Sequence, residues 1–149
     1  MKKSFHSNSV KKSITVKASK EKVWRSISNI AGLPRWVVDV KQTTYLTKKK
    51  RNVGAVRKIT FGQGKTIEEH IVAWKEKEFF TYVATEGLPL RAYVATISVK
   101  SKDKKNTQIT WQSYFNSKKM SAKQFNEFVE FLGGFYEMSL KNLKVLLEK

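Results

Sequence analysis

The feature that most constrains the fold is a long amphipathic helix near the C-terminal end. Ser121 is followed three positions later by Gln124, the pattern of a capping box that starts a helix. A helix over residues 122–148 would be ~40 Å long. Its apolar face needs another element to pack against. That face carries Phe125, Phe128, Leu132, Phe135, Ser139, Leu143 and Leu146 at spacings of three or four residues.

Most of the chain before this helix is predicted to form β-strands. Residues 13–17 alternate polar and apolar side chains, and Ser19 can then cap a short helix. The sequence does not decide whether residues 30–35 form a second short helix. Turn residues separate the later segments, and connections this short force antiparallel neighbours. The predicted later strands are 37–47, 53–61, 65–74, 79–86, 91–101 and 107–116. Strands followed by one long helix indicate an α+β fold in a single domain, 1–149.

The charge is strongly positive, with 30 Lys and Arg against 12 Asp and Glu and a net charge of +18. Such a surface attracts polyanions. Lysines cluster in the predicted loops 48–52 and 102–106, which could contact an anionic membrane or nucleic acid weakly. Charged loop tips can equally serve only solubility.

Metal and membrane chemistry have little support in the composition. Cysteine is absent, and His6 and His70 lie far apart, so no metal site and no cofactor are expected. No apolar run approaches the ~18 residues of a membrane span. No apolar stretch follows the lysines of residues 1–6, so we expect no signal peptide and a cytoplasmic protein.

Several short segments, in their order along the chain, resemble one known superfamily. They are 18–24 (ASKEKVW), 32–36 (GLPRW), 53–57 (VGAVR), 64–74 (GKTIEEHIVAW), 86–89 (EGLP) and 110–115 (TWQSYF). Together they resemble the helix-grip superfamily of START domains and the birch pollen allergen, especially its polyketide cyclase/dehydrase-like and lipid-transport-like members. The resemblance implies a curved antiparallel sheet of six to seven strands around the C-terminal helix, with two short helices after the first strand.

The turn at residues 62–64 permits a register calculation for two strands. If Phe61 pairs with Lys65, Ile59 faces Ile67 and Arg57 faces Glu69. The resemblance makes this the concave face, so an ion pair would lie in a largely apolar cavity. Arg57 could anchor a ligand carboxylate or carbonyl while Glu69 holds it, or the pair could only fix the register.

The same register, continued, predicts the remaining cavity wall. It places Phe80, Tyr82 and Ala84 beside Ala73, Ile71 and Glu69. The resemblance adds inward residues from the next two strands (Tyr93, Ala95 and Ile97, then Gln112 and Tyr114) and from the helix. A plain core stripe is the alternative for the helix phenylalanines. The predicted ligand-binding residues are Arg57, Ile59, Phe61, Glu69, Ile71, Tyr82, Tyr93, Gln112, Tyr114, Phe128, Phe131, Phe135 and Ser139.

The resemblance implies a carrier or sensor that binds a hydrophobic small molecule or lipid in an internal cavity. A cyclase/dehydrase-like enzyme is the alternative, but no Ser-His-Asp set or phosphate-binding loop is present, and we assign no catalytic residue. Loops 62–65 and 87–91 would lie at one end of the sheet and frame the entrance. Gly133 and Gly134 would provide either a hinge in the helix or close packing against the sheet.

Overall fold

The computed structural model describes residues 5–149, in which one seven-stranded sheet packs against two helices. Residues 1–4, part of the N-terminal segment in which we expect no signal peptide, therefore lie outside the described residues. A single 3-10 turn (Leu33–Arg35) lies between the first helix and the second strand. The strands are β1 (His6–Val16), β2 (Val40–Tyr45), β3 (Val56–Phe61), β4 (Thr66–Lys75), β5 (Phe79–Glu86), β6 (Ala92–Ser101) and β7 (Thr107–Ser117), and the helices are α1 (Lys20–Ile27) and α2 (Ala122–Leu147).

The strand order across the sheet is β1-β7-β6-β5-β4-β3-β2, and every neighbouring pair is antiparallel. Strands β1 and β2 therefore form opposite edges, and α1 and the 3-10 turn cross between them. The sheet is curved and α2 lies along it. The predicted helix-grip fold is confirmed.

Both helices begin at the caps that the sequence predicts. Ser19 Oγ accepts a hydrogen bond from the Lys22 amide at 3.2 Å. At α2, Ser121 Oγ accepts from the Gln124 amide at 3.1 Å, and Gln124 Oε1 accepts from the Ser121 amide at 2.9 Å. These contacts satisfy amide groups that a helix start would otherwise leave unpaired.

Alternation along the strands creates the core. In β6, Tyr93, Ala95, Ile97 and Val99 are buried while the residues between them are not. The corresponding faces of the other strands pack beneath α1 and α2. No helix within residues 5–149 combines the length and the apolar character that crossing a membrane requires.

Strand boundaries differ from prediction mainly at the edges. β1 is longer than 13–17 because its polar first half still pairs with β7 along its whole length. β2 starts only at Val40 and β3 only at Val56, since turns precede both. Asp39 (φ 60°) and Gly54 (φ 98°) lie in these turns in the left-handed region.

Two β-bulges curve the centre of the sheet. Val72 is an extra residue in β4, and Thr85 is an extra residue in β5. The predicted pairs of Glu69 with Ala84 and of Ile71 with Tyr82 are present. Beyond Val72 the register shifts, so Phe80 pairs with Trp74, and the expectation that it lies beside Ala73 is wrong.

Candidate functional site

A cavity of about 740 Å³ lies between the concave face of the sheet and α2. Its wall is mainly aromatic and aliphatic, with a few charged groups. The segment around the 3-10 turn closes one side. The lining residues are Leu33, Trp36, Val37, Val38, Asp39, Val40, Arg57, Ile59, Phe61, Gln63, Lys65, Ile67, Glu69, Tyr82, Leu88, Pro89, Tyr93, Ile97, Trp111, Phe128, Glu130, Phe131, Leu132, Gly134, Phe135 and Met138. This volume and character are typical of a small-molecule site.

A buried ion pair crosses the wall from β3 to β4. Arg57 pairs with Glu69 in the strand register, and Arg57 Nε and Nη2 donate to Glu69 Oε1 at 3.0 and 2.8 Å. Arg57 Nη1 donates to the carbonyl oxygen of Ile30 at 2.8 Å. The predicted pairing of these two residues is therefore present. The third contact ties the loop after α1 to the sheet.

Burial governs the protonation behaviour of this pair. Removal from water raises the pKa of Glu69, and the nearby Arg57 charge only partly offsets that effect. Burial and the Arg57 charge therefore act on the pKa of Glu69 in opposite directions, and burial has the larger effect.

Tyrosine hydroxyls add further polar groups to the inner wall. Trp111 Nε1 donates to the Tyr82 hydroxyl at 3.0 Å, and the hydroxyls of Tyr93 and Tyr136 are hydrogen-bonded to each other. Burial raises the pKa of Tyr82 and of Tyr93 well above the ordinary value. Both hydroxyls therefore stay protonated at neutral pH.

Loops 62–65 and 87–91, which we expect to frame the entrance, both contribute residues to the cavity wall. These are Gln63 and Lys65 from the first loop and Leu88 and Pro89 from the second. Gly87 (φ 100°) lies so close to β4 that a Cβ would meet the Thr66 carbonyl oxygen at 2.1 Å. The second loop therefore approaches the start of β4 at a distance that only glycine permits.

On the opposite side of the entrance, α2 presents apolar side chains. Phe131 is 63% exposed and Met138 is 52% exposed. Gly134 lies between them on the cavity wall with open space where a Cβ would be, and a Cβ on Gly133 would make an ordinary contact at 3.5 Å with Lys12. Steric crowding therefore does not require glycine at either position, and the hinge interpretation stays a prediction.

Comparison with known proteins places this fold and cavity in context. The sequence model of the family described as "Polyketide cyclase / dehydrase and lipid transport" matches residues 7–148. The chain belongs to this family. No functionally curated protein matches it.

Solved structures agree with membership of the polyketide cyclase/dehydrase and lipid-transport family. An uncharacterised protein from Bacillus thuringiensis is 26% identical, with a TM-score of 0.81 over 95% of this chain and 100% of its own. The protein XoxI from Bacillus cereus is 26% identical, with a TM-score of 0.80 over 93% and 94%. Norcoclaurine synthase from Thalictrum flavum, solved with dopamine and hydroxybenzaldehyde, is 19% identical, with a TM-score of 0.73 over 96% and 87%, and shares the fold.

Nine of the residues predicted to bind ligand line the cavity of this family member: Arg57, Ile59, Phe61, Glu69, Tyr82, Tyr93, Phe128, Phe131 and Phe135. Ile71 is buried in the core and does not line the cavity. Ser139 is also buried away from it, and its Oγ accepts a hydrogen bond from the Val38 amide at 3.1 Å. Ser139 therefore fastens α2 to the cavity wall.

The inward placement predicted for Gln112 and Tyr114 is wrong. Both are exposed on the outer face of β7, whereas Trp111, Ser113 and Phe115 face inward. The pairing of β6 with β7 sets this phase, because inward Ile97 lies opposite Trp111. Adjacent partners on a sheet share a face.

Sequence reasoning missed two lining tryptophans, Trp36 and Trp111. Their rings lie 5.7 Å apart, centre to centre. The apolar character of the odd-numbered residues Ile109, Trp111 and Phe115 was a usable signal for β7. For Trp36 the sequence offered less, because it lies in an irregular turn.

The lysine-rich loops lie at the end of the sheet away from the entrance. Arg51 Nη2 donates to both carboxylate oxygens of Glu76 at 2.9 and 3.0 Å, which joins loop 48–52 to the β4–β5 turn. Lys17, Lys104 and Lys105 line a shallow hollow near the start of α1. Among residues 5–149, no group of three or more acidic or histidine side chains is arranged to hold a metal ion.

Proposed function

We propose that this protein is a carrier or sensor that binds a mostly apolar small molecule or lipid between its sheet and α2. The observation that carries the proposal is the cavity of about 740 Å³, whose wall is aromatic and aliphatic around one buried ion pair. Protein interiors are normally close-packed, so an unfilled space of this size between a sheet and a helix points to a binding site. Family membership supports binding of a hydrophobic ligand.

Native mass spectrometry of protein purified from its own host tests the proposal directly. We expect an additional mass that disappears on denaturation. Gly134→Trp adds a large side chain at the cavity wall, which Gly134 lines with open space beside it. Lys141→Trp, on the exposed face of the same helix, is the matched control.

The bound mass should be lost in Gly134→Trp and kept in Lys141→Trp. Equal retention by both variants would show that the ligand lies elsewhere. If nothing copurifies, calorimetric titration with apolar probes decides, and no heat of binding to any of them would refute the proposal.

A second candidate function is weak contact of the basic end with phosphate-bearing polyanions. The cluster of Lys17, Lys104 and Lys105 around one hollow supports it, together with the net charge of +18. Phosphate binding should weaken steeply as salt rises. Binding of DNA, RNA and anionic vesicles is measured against salt for Lys104→Glu/Lys105→Glu, with Lys141→Glu as control. Equal binding by the two variants, or none near physiological salt, would exclude this function.

A further inference from the structure

The buried ion pair also indicates which chemical group of a ligand the cavity accepts, given the binding function proposed above. Three nitrogens of Arg57 are already engaged, two by Glu69 Oε1 and one by the Ile30 carbonyl. The Tyr82 ring lies 4.9 Å from the guanidinium carbon. Only 2% of the Arg57 side chain is exposed. The guanidinium group is therefore enclosed and poorly placed to receive a ligand anion.

Glu69 is engaged on one side only. Its Oε1 accepts both bonds from Arg57, whereas its Oε2 accepts no hydrogen bond from any residue within 5–149. The side chain is 7% exposed and lines the cavity. A carboxylate oxygen that gives up its water to a bound apolar molecule without gaining a donor is costly. A ligand O–H or N–H would avoid that cost.

The charges of the wall point in the same direction. The chain carries a net charge of +18, yet its cavity wall has two cations, Arg57 and Lys65, against three carboxylates. The carboxylates are Asp39, Glu69 and Glu130. An anionic ligand head would approach Glu69 while the nearest cation is already neutralised by it.

We propose that the cavity selects apolar ring compounds that carry a hydroxyl or amine donor, which binds Glu69 Oε2, and that it rejects the corresponding carboxylates. Glu69 then anchors the ligand and Arg57 positions Glu69. The aromatic wall, including Trp36, Trp111 and Phe135, packs against the ring system.

Three probes with one ring system test this selection by calorimetry: 1-pyrenemethanol, its methyl ether and 1-pyrenecarboxylate. One hydrogen bond to a charged group predicts that the alcohol binds ~10-fold tighter than the ether, or more. The carboxylate should bind more weakly than the ether. Equal affinities of alcohol and ether, or tightest binding of the carboxylate, would overturn this inference and leave the cavity function standing. Failure of all three to bind would count against both proposals.

The double variant Arg57→Met/Glu69→Leu removes both charges together, which folded proteins tolerate better than removal of one. We expect the alcohol to fall to the affinity of the ether, with the ether unchanged. Arg51→Met, which alters the exposed Arg–Glu pair instead, should keep the full preference. Retained preference in the double variant would refute the role of Glu69. If the double variant does not fold, the three probes on the unmodified protein still decide.

Discussion

Within residues 5–149, two Arg–Glu pairs consist of the same residue types but lie in different surroundings. Arg57 and Glu69 lie at the cavity with the Tyr82 ring 4.9 Å from the guanidinium carbon. Arg51 and Glu76 lie at the far end with the Trp74 ring at 5.3 Å. Their side chains are 2% and 7% exposed in the first pair and 49% and 54% exposed in the second.

The surroundings move the two carboxyl groups in opposite directions. Loss of water raises the pKa of Glu69 despite the neighbouring Arg57. Hydrogen bonds lower the pKa of Glu76, chiefly the one from Trp74, with further contributions from Trp24 and Arg51. The same two residue types thus interact strongly in the cavity, whereas they form only a weak ion pair between surface loops.

The largest difference should appear when each arginine is replaced by methionine. Arg57→Met leaves a buried carboxyl without its partner, and we expect a loss of about 3–5 kcal/mol in the free energy of unfolding. Urea unfolding followed by circular dichroism measures it. Arg57→Met/Glu69→Leu should recover much of the loss. A loss under ~1 kcal/mol would mean that the pair contributes little to stability, and unchanged stability with lost ligand affinity would instead identify Arg57 as the anchor.

Tyr82→Phe tests the ring and hydroxyl beside the buried pair. The aromatic ring over Arg57 stays, but Trp111 Nε1 loses the acceptor that lies 3.0 Å away. An unsatisfied buried donor predicts a loss of ~1–3 kcal/mol in unfolding free energy. Thermal and urea unfolding should agree on it. A neutral result would show that another acceptor, such as a cavity water, replaces the hydroxyl.

Arg51→Met should have a smaller effect than either change at the cavity. The pair it breaks is half-exposed, so water can solvate both groups, and we expect at most ~1 kcal/mol. The same urea experiment measures it beside Arg57→Met. Equal losses for the two arginine variants would remove the contrast between the pairs.

The smallest expected effect is the pH dependence of the contribution that Glu76 makes to stability. Because its pKa in the folded state is below the ordinary 4.5, its charge stabilises the fold above that pH. The contribution is lost as the pH falls through the folded pKa. The stability difference between the unmodified protein and Glu76→Gln should therefore shrink from neutral pH to pH values below 4.5. Glu127→Gln, on the exposed face of α2, is the control, and a difference that grows in acid would contradict the assignment.

Most of the fold could be predicted from local sequence patterns, because each helix and hairpin is formed by residues that are close in sequence. The cap at Ser121, the turn at 62–64 and the pairing of Arg57 with Glu69 all follow from spacing. The bulge at Val72 does not, since an extra residue in one strand leaves the alternation on either side looking regular. The shifted partner of Phe80 follows from that bulge.

Prediction of the site failed where the inference relied on resemblance or on distant contacts. Gln112 and Tyr114 took their inward placement from the resemblance, although alternation with Trp111 and Phe115 favours the opposite phase. Ser139 has the helical spacing of a wall residue, but its hydroxyl meets the Val38 amide from a remote segment. Such a contact depends on tertiary packing, which local pattern does not specify.

The four tryptophans are divided between the two Arg–Glu pairs. Trp36 and Trp111 line the cavity, whereas Trp24 and Trp74 donate to Glu76 at the other end. Intrinsic fluorescence therefore carries two separable signals. A Trp36→Phe/Trp111→Phe protein emits only from the loop end, and a Trp24→Phe/Trp74→Phe protein emits only from the cavity. Ligand binding in the cavity and breakage of the Arg51–Glu76 pair can thus be followed optically in the same molecule without an attached dye.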